Sequence, residues 1–305
     1  METSTTPNNK NKQDLHQLVT DTIIEQLEKG VIPWKQPWKG ENSLLQGLPF
    51  NTATGRKYRG INIVLLWAAN LKYEHQTNEW GTFNHWKAKN EFVRSGEKGS
   101  VVVKYDVLEV EEAGKKKEIP YLKKYWVFNK CQLESWKPVE DNVVVPLPVA
   151  DAVVRSTVID EFLKNTGSVI EEHEGGACYR WKEDKILMPP ATSFVDTATC
   201  TAVEGYYSTT LHELMHWSGA PHRLNRTKGK RFGDQEYAFE ELVAELGAAF
   251  LCAEFDISTL QKGDHAGYID NWIKVLNDNR QMLVSAAADA SKAYDYLFSL
   301  QPTLD

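Results

Sequence analysis

The stretch Leu211-His212-Glu213-Leu214-Met215-His216 decides how the C-terminal half of the chain is read. Two histidines four residues apart lie on one face of a helix, one turn above each other. Their imidazole nitrogens can share one tetrahedral Zn2+. Glu213 follows the first histidine and falls beside the coordination position left open. There it can take a proton from water whose pKa the metal has lowered to about 7. Residues 201–217 contain no proline and read as one helix, closed at Ser218-Gly219, where glycine suits a left-handed cap.

A third ligand is needed, and the sequence offers two. Residues 237–253 (YAFEELVAELGAAFLCA) form a second helical stretch with Glu241 and Glu245 in an otherwise apolar run. A carboxylate there is costly unless it is paired or binds metal. Glu241 is the preferred ligand. Glu245, one turn on, is expected to accept a hydrogen bond from the free nitrogen of a ligating histidine. The rival is His222, because HELMHWSGAPH matches the longer H-E-x-x-H-x-x-G-x-x-H pattern. That arrangement also requires a methionine turn below the metal. The only downstream methionine, Met282, lies in a segment that reads as helical. His222 and Tyr237 therefore stand as alternative ligand or transition-state hydrogen-bond donors, with Tyr206 and Tyr207 as further donors.

Composition sets the frame. A chain of 305 residues suggests two domains, and 42% hydrophobic with 25% charged residues is ordinary for globular protein. No apolar run reaches the length of a membrane span. The polar start, METSTTPNNKNKQD, lacks the apolar core of a signal peptide, and residues 1–11 read as a disordered lead. Cys131, Cys178, Cys200 and Cys252 form no C-x-x-C pair, which fits a reducing cytoplasm. The net charge of -7 is unevenly distributed. Residues 1–130 carry 20 Lys+Arg against 15 Asp+Glu, and the remainder carries 15 against 27. A basic half joined to an acidic one suggests two tasks.

In the basic half, Asp14 opens a helix with an apolar stripe of Leu18, Ile23, Ile24 and Leu27 that Gly30 ends. The segment IPWKQPWK (32–39) is rigid and extended, with Trp34 before Lys35 and Trp38 before Lys39. A loop then carries Arg56, Lys57, Tyr58 and Arg59, followed by an apolar helix in which Trp67 reads as core. Residues 73–90 carry Trp80, Phe83 and Trp86 among cationic residues, and a hairpin follows with its polar turn at 111–118. Rings interleaved with cations suit single-stranded nucleic acid, whose bases stack while its phosphates are neutralised. The assigned contacts are Trp34, Lys35, Trp38, Lys39, Arg56, Lys57, Tyr58 and Arg59. Residues 136–147 read as a proline-bearing linker. Beyond it come a helix, three short strands and the metal helices. The strand at 185–188 is expected at a sheet edge beside the cleft, and two covering helices complete the chain.

On IIEQLEKGVIPWKQPW, PFNTATGRKYRGIN and EKGSVVVKY, the first part of the chain resembles the N-terminal domain of ArdC-type antirestriction proteins, which plasmids and other mobile elements encode. On STTLHELMHWSGAPHRLNR and RFGDQEYAFEELVAELGAAFLCAEF, the second resembles their zincin-like metallopeptidase domain. The resemblance implies single-stranded DNA binding, a zinc-dependent fold and protection of incoming DNA from host restriction. It carries the metal site onto His212, Glu213 and His216, with Glu241 and Glu245 in EELVAE. It does not imply a particular protein substrate. The expected fold is α+β with two domains: a DNA-binding domain at 12–135 and a zincin-like domain at 148–305. Two rival readings are a non-enzymatic single-stranded-DNA-binding protein with a structural or vestigial zinc site, and an acidic DNA mimic that binds restriction enzymes.

Overall fold

An apolar stripe of Val19, Ile23, Ile24 and Leu27 buries one side of helix α1 (Leu15–Glu28), and Gly30, at φ 77°, turns the chain out of it. The computed structural model describes residues 15–35, 47–112, 115–138, 149–226, 235–259 and 265–302. Residues 1–14, Trp38 and Lys39, and 139–147 of the expected linker with residue 148 lie outside them. Helix α2 (Ile61–Tyr73) is apolar nearly all round and buries Ile61, Ile63, Val64, Leu65, Leu66 and Trp67. Such a helix belongs between layers.

On one side of α2 lies a sheet of strand order β2-β1-β3-β5-β4. Its strands are β1 (Phe50–Asn51), β2 (Arg56–Lys57), β3 (Glu79–Gly81), β4 (Ser100–Glu112) and β5 (Lys115–Asn129), and α3 (Phe83–Ala88) packs against β5. The hairpin is longer than the sequence suggests. The ladder continues to Glu112 and Lys115, its register setting Glu111 opposite Lys116 and Glu112 opposite Lys115.

On the other side of α2 lie helices of the C-terminal half. These are α4 (Val149–Thr166), α5 (Ala202–Ser218), α6 (Gln235–Glu254), α7 (His265–Asp278) and α8 (Met282–Ser299). A small sheet, order β6-β8-β7, joins β6 (Val169–Glu172), β7 (Cys178–Arg180) and β8 (Lys185–Met188). The 185–188 strand is central, not an edge. Its continuous run Ile186-Leu187-Met188 is buried on both faces, as in a strand flanked on both sides. The edge is β7.

The two domains share a core. Val19, Leu27, Trp34 and Trp67 pack in one cluster with Leu246, Phe250, Leu283 and Ala287. The Trp67 ring meets the Phe250 ring edge-on at 5.7 Å. Each domain thus covers apolar surface of the other. Among the described residues no helix is long and apolar enough to cross a membrane.

Two glycines set how α5 and α6 lie. A Cβ on Gly247 of α6 would stand 2.5 Å from the sulfur of buried Met215 on α5. Gly247→Ala should force these helices apart and cost about 1–3 kcal/mol. Chemical unfolding checks this, and an unchanged midpoint would show that Met215 can simply move aside. Gly219 ends α5 in right-handed backbone (φ -82°), not the left-handed cap expected. Its lack of a side chain instead admits the Arg226 guanidinium, 2.8 Å from where a Cβ would be.

Candidate metal centre

Helix α5 begins with a capping box in which Thr201 and Glu204 satisfy each other's backbone N–H groups. From there the helical period brings His212 and His216 onto one face, ring centroids 4.9 Å apart. Helix α6 crosses opposite. His212 Nε2 lies 3.6 Å and His216 Nε2 3.5 Å from the two carboxylate oxygens of Glu241. One ligand atom from each of the three residues falls within 4.8 Å of the others, the spacing of donors around a single ion. Two imidazoles and a carboxylate form the three-ligand set of a catalytic metal site with one position open. Buried Glu213 lines the same cleft.

Burial opposes a charge on His212. The hydrogen bond to Glu241 and the carboxylates of Glu213, Glu241 and Glu245 outweigh it and raise its pKa. Burial likewise opposes a charge on Glu241, yet His212 and His216 bring its carboxyl down to about 2. The Tyr237 phenol is pushed up to about 12 by burial first and then by Glu241, to which it hydrogen-bonds.

Behind the candidate ligands, Glu240 holds His216: Nδ1 lies 3.2 Å from Glu240 Oε1. Arg226 grips the same carboxylate from two nitrogens, at 3.0 Å each, and donates to Ser218 Oγ at 2.9 Å. Sequence reasoning gave the histidine's partner as Glu245 and missed both Glu240 and Arg226. Glu245 instead faces the N-terminal domain. It accepts from the Trp34 indole at 3.1 Å, from the Tyr268 hydroxyl and from Lys35 at 3.5 Å. The Glu240-Glu241 doublet was the available signal. Adjacent helical positions point about 100° apart, so one carboxylate can ligate while its neighbour supports.

The cleft, about 740 Å³, is walled by edge strand β7 with Cys178 and Tyr179, by Trp181 and by Tyr237. Arg223 fixes that wall. It donates to Asp184 at 3.0 Å and to the Tyr179 hydroxyl at 3.0 Å, and it stacks on Trp217 at 3.8 Å. The Arg223 guanidinium holds the Asp184 carboxyl well below its usual range. His222 stands outside the ligand cluster, its side chain 63% exposed and its Nε2 3.2 Å from Asp184. Tyr207 donates to Asp160 at 2.8 Å, and Tyr206 packs edge-on against Phe194, so neither lines the cleft.

The assigned DNA contacts separate. Trp34 is fully buried, which returns it to the core: proline fixes the backbone here so that the ring points at α6 rather than at solvent. Lys35 is tied to Glu245 and lies 3.8 Å over the Tyr268 ring. Lys57 pairs with Glu254 of α6 at 2.6 Å, and Arg59 pairs with Asp295 of α8. Tyr58 is half-buried, its phenol pushed up to about 12 by burial. Arg56 remains exposed.

The model for the N-terminal domain of anti-restriction factor ArdC matches residues 13–128, and that for a zincin-like metallopeptidase matches residues 157–289. The metal-free crystal structure of the antirestriction ArdC protein from the R388 plasmid is 35% identical, with a TM-score of 0.75 over 94% of this chain and 98% of that one. The chain belongs to the ArdC antirestriction family. A Mn(II)-bound structure of R388 ArdC matches with 34% identity and a TM-score of 0.73, again over 94% of this chain and 98% of that one. The uncharacterized protein y4eC of Sinorhizobium fredii is 33% identical over 99% of this chain and 96% of its own length. DNA primase TraC of Escherichia coli is 33% identical over 95% of this chain, which spans only 20% of that protein. An ArdC-type chain can therefore stand as one segment of a much longer protein.

In this ArdC-family chain the ligand geometry yields a direct test. His212→Ala should abolish tight metal binding and lower thermal stability of the metal-loaded protein, since bound metal adds to folding free energy. Glu213→Ala should keep the metal. Metal analysis of the purified variants checks this, and equal metal content in both would remove the site.

Proposed function

We propose that this chain is an antirestriction protein of a mobile element, working in the cytoplasm, where it binds single-stranded DNA through its N-terminal domain and carries a zinc peptidase-type centre in its C-terminal domain. The convergence of His212, His216 and Glu241 beside buried Glu213 carries this reading. Zn2+ suits two imidazoles and a carboxylate, and Mn(II), present in an R388 ArdC structure, is the competing ion.

When bound, the ion would supply Lewis acidity toward a carbonyl oxygen and a water molecule. Glu213 takes the proton of the attacking water and delivers it to the leaving amine. Tyr237 keeps its proton at neutral pH and donates it in a hydrogen bond to the oxygen on which charge develops. Glu240 and Arg226 hold the His216 ring in register. The exposed edge of β7 pairs with an extended polypeptide, giving the cleft a protein substrate. In the N-terminal domain, Arg56 and the exposed lysines meet phosphates.

The test is transfer of unmodified plasmid DNA into restricting and non-restricting hosts that hold the wild-type protein or Glu213→Ala. Protection by wild type alone supports the full reading. Equal protection by the variant would assign protection to DNA binding and leave the metal a structural role. No protection by either would defeat the antirestriction reading.

A further inference from the structure

One face of the N-terminal sheet carries rings and cations that the metal centre does not use. Strand β5 alternates, so Lys124, Trp126 and Phe128 share a face while Val127 points into the core. Gly99, just before β4, lies between these rings. A Cβ there would come 3.2 Å from the Phe128 ring and 3.3 Å from Trp126 Cβ, so the glycine leaves a trough. Phe83 of α3 meets Phe128 edge-on at 6.2 Å. Beyond Trp126, a hollow of about 170 Å³ is rimmed by Lys72 and Tyr73. Trp126 is 53% exposed, Phe83 49% and Tyr73 43%. Contiguous exposed rings of this size mark a binding surface.

Charge selects the partner. Lys87 sits one turn from Phe83 on α3, Lys98 adjoins Gly99, and Lys124 is two residues from Trp126. Among the described residues these three lysines have no carboxylate partner. Lysine is depleted at protein–protein interfaces. Rings flanked by unpaired lysines instead match a strand whose bases need a stacking platform and whose phosphates need cations.

We propose that Phe83, Phe128, Trp126 and Tyr73 form the base-stacking surface for single-stranded nucleic acid, with Lys87, Lys98 and Lys124 on its phosphates. This rests on the reading that the N-terminal domain binds a single strand, and it gives the stacking role expected of Trp34 to rings on the sheet. Stacking uses ring faces, not base edges, so the surface has little sequence preference. A duplex, its bases already stacked, is a poor ligand.

The test titrates the full-length protein with labelled oligothymidylate, an abasic strand of equal length and a duplex. Trp126→Ala and Phe83→Ala should each weaken oligothymidylate binding roughly 5- to 150-fold, and Trp126→Phe should recover most of the loss. On the abasic strand Trp126→Ala should make no difference, which a folding defect could not mimic. Lys98→Ala and Lys124→Ala should each flatten the salt dependence by about one phosphate contact. If wild type binds the single strand and Trp126→Ala and Phe83→Ala bind it equally well, this surface is wrong while the DNA reading stands. If wild type binds no single strand, both fall.

Discussion

Arg226→Ala should destabilise the protein by about 3–5 kcal/mol, because it strips a buried carboxylate of its charged partner. The Arg226 and Glu240 side chains are both nearly inaccessible, and the guanidinium grips both carboxylate oxygens. It also caps the end of α5, donating to the Met215 carbonyl at 2.5 Å as well as to Ser218. Removing it frays that end and leaves Glu240 with His216 alone. Metal affinity should fall as well, by about 10–100-fold, since Glu240 orients the His216 ring. A double variant separates the two effects. Arg226→Met combined with Glu240→Leu removes both charges and should recover much of the stability. It should not recover metal affinity, because the Glu240 carboxylate no longer holds the His216 ring. Thermal unfolding of the metal-free protein and a metal titration read the two quantities. If the double variant bound metal like wild type, Glu240 would have no positioning role.

That His212 and His216 share a face is legible in the sequence, because helical periodicity alone dictates it. Which carboxylate supports His216 was not. Glu240 and Glu245 both lie within about a turn of Glu241, and the choice depends on how α6 crosses α5, which the Gly247–Met215 contact sets. Arg226 was invisible for a similar reason, since it arrives from a loop with no period to read. The stacking rings show both outcomes. In Lys-Tyr-Trp-Val-Phe the two-residue period places Trp126 opposite in sense to Val127, so its exposure was available to a reader who fixed Val127 in the core. In Ile-Pro-Trp-Lys-Gln-Pro-Trp no period exists. Flanking lysine and proline suggested solvent, but the deciding partner, Glu245, lies 211 residues away. The two-domain organisation was readable from the change in charge and pattern. The core they share was not, because either apolar face alone is equally consistent with packing inside its own domain.

Trp34→Ala should cost about 3–5 kcal/mol of stability and leave the DNA affinity of the folded protein unchanged. The ring is fully buried among residues of both domains, so truncation opens a cavity in the core they share. It also removes the indole donor from Glu245, whose carboxylate holds Tyr268 and Lys35 at the same junction. Trp34→Phe separates the terms. It keeps most of the apolar volume and loses the N–H, so its cost should approach the 1.5–3 kcal/mol of roughly one hydrogen bond to a charged group. Because the core spans both domains, the loss should appear in one common unfolding transition, with Tm lower by roughly 5–10 °C for the alanine variant. The sequence reading, which assigned Trp34 to the DNA contacts, instead leads one to expect weaker binding of single-stranded DNA. Calorimetry and an oligothymidylate titration on the same preparation discriminate the two. A Trp34→Ala protein that melts like wild type but binds the strand weakly would put this tryptophan back on the DNA surface and break the junction between α6 and the N-terminal domain.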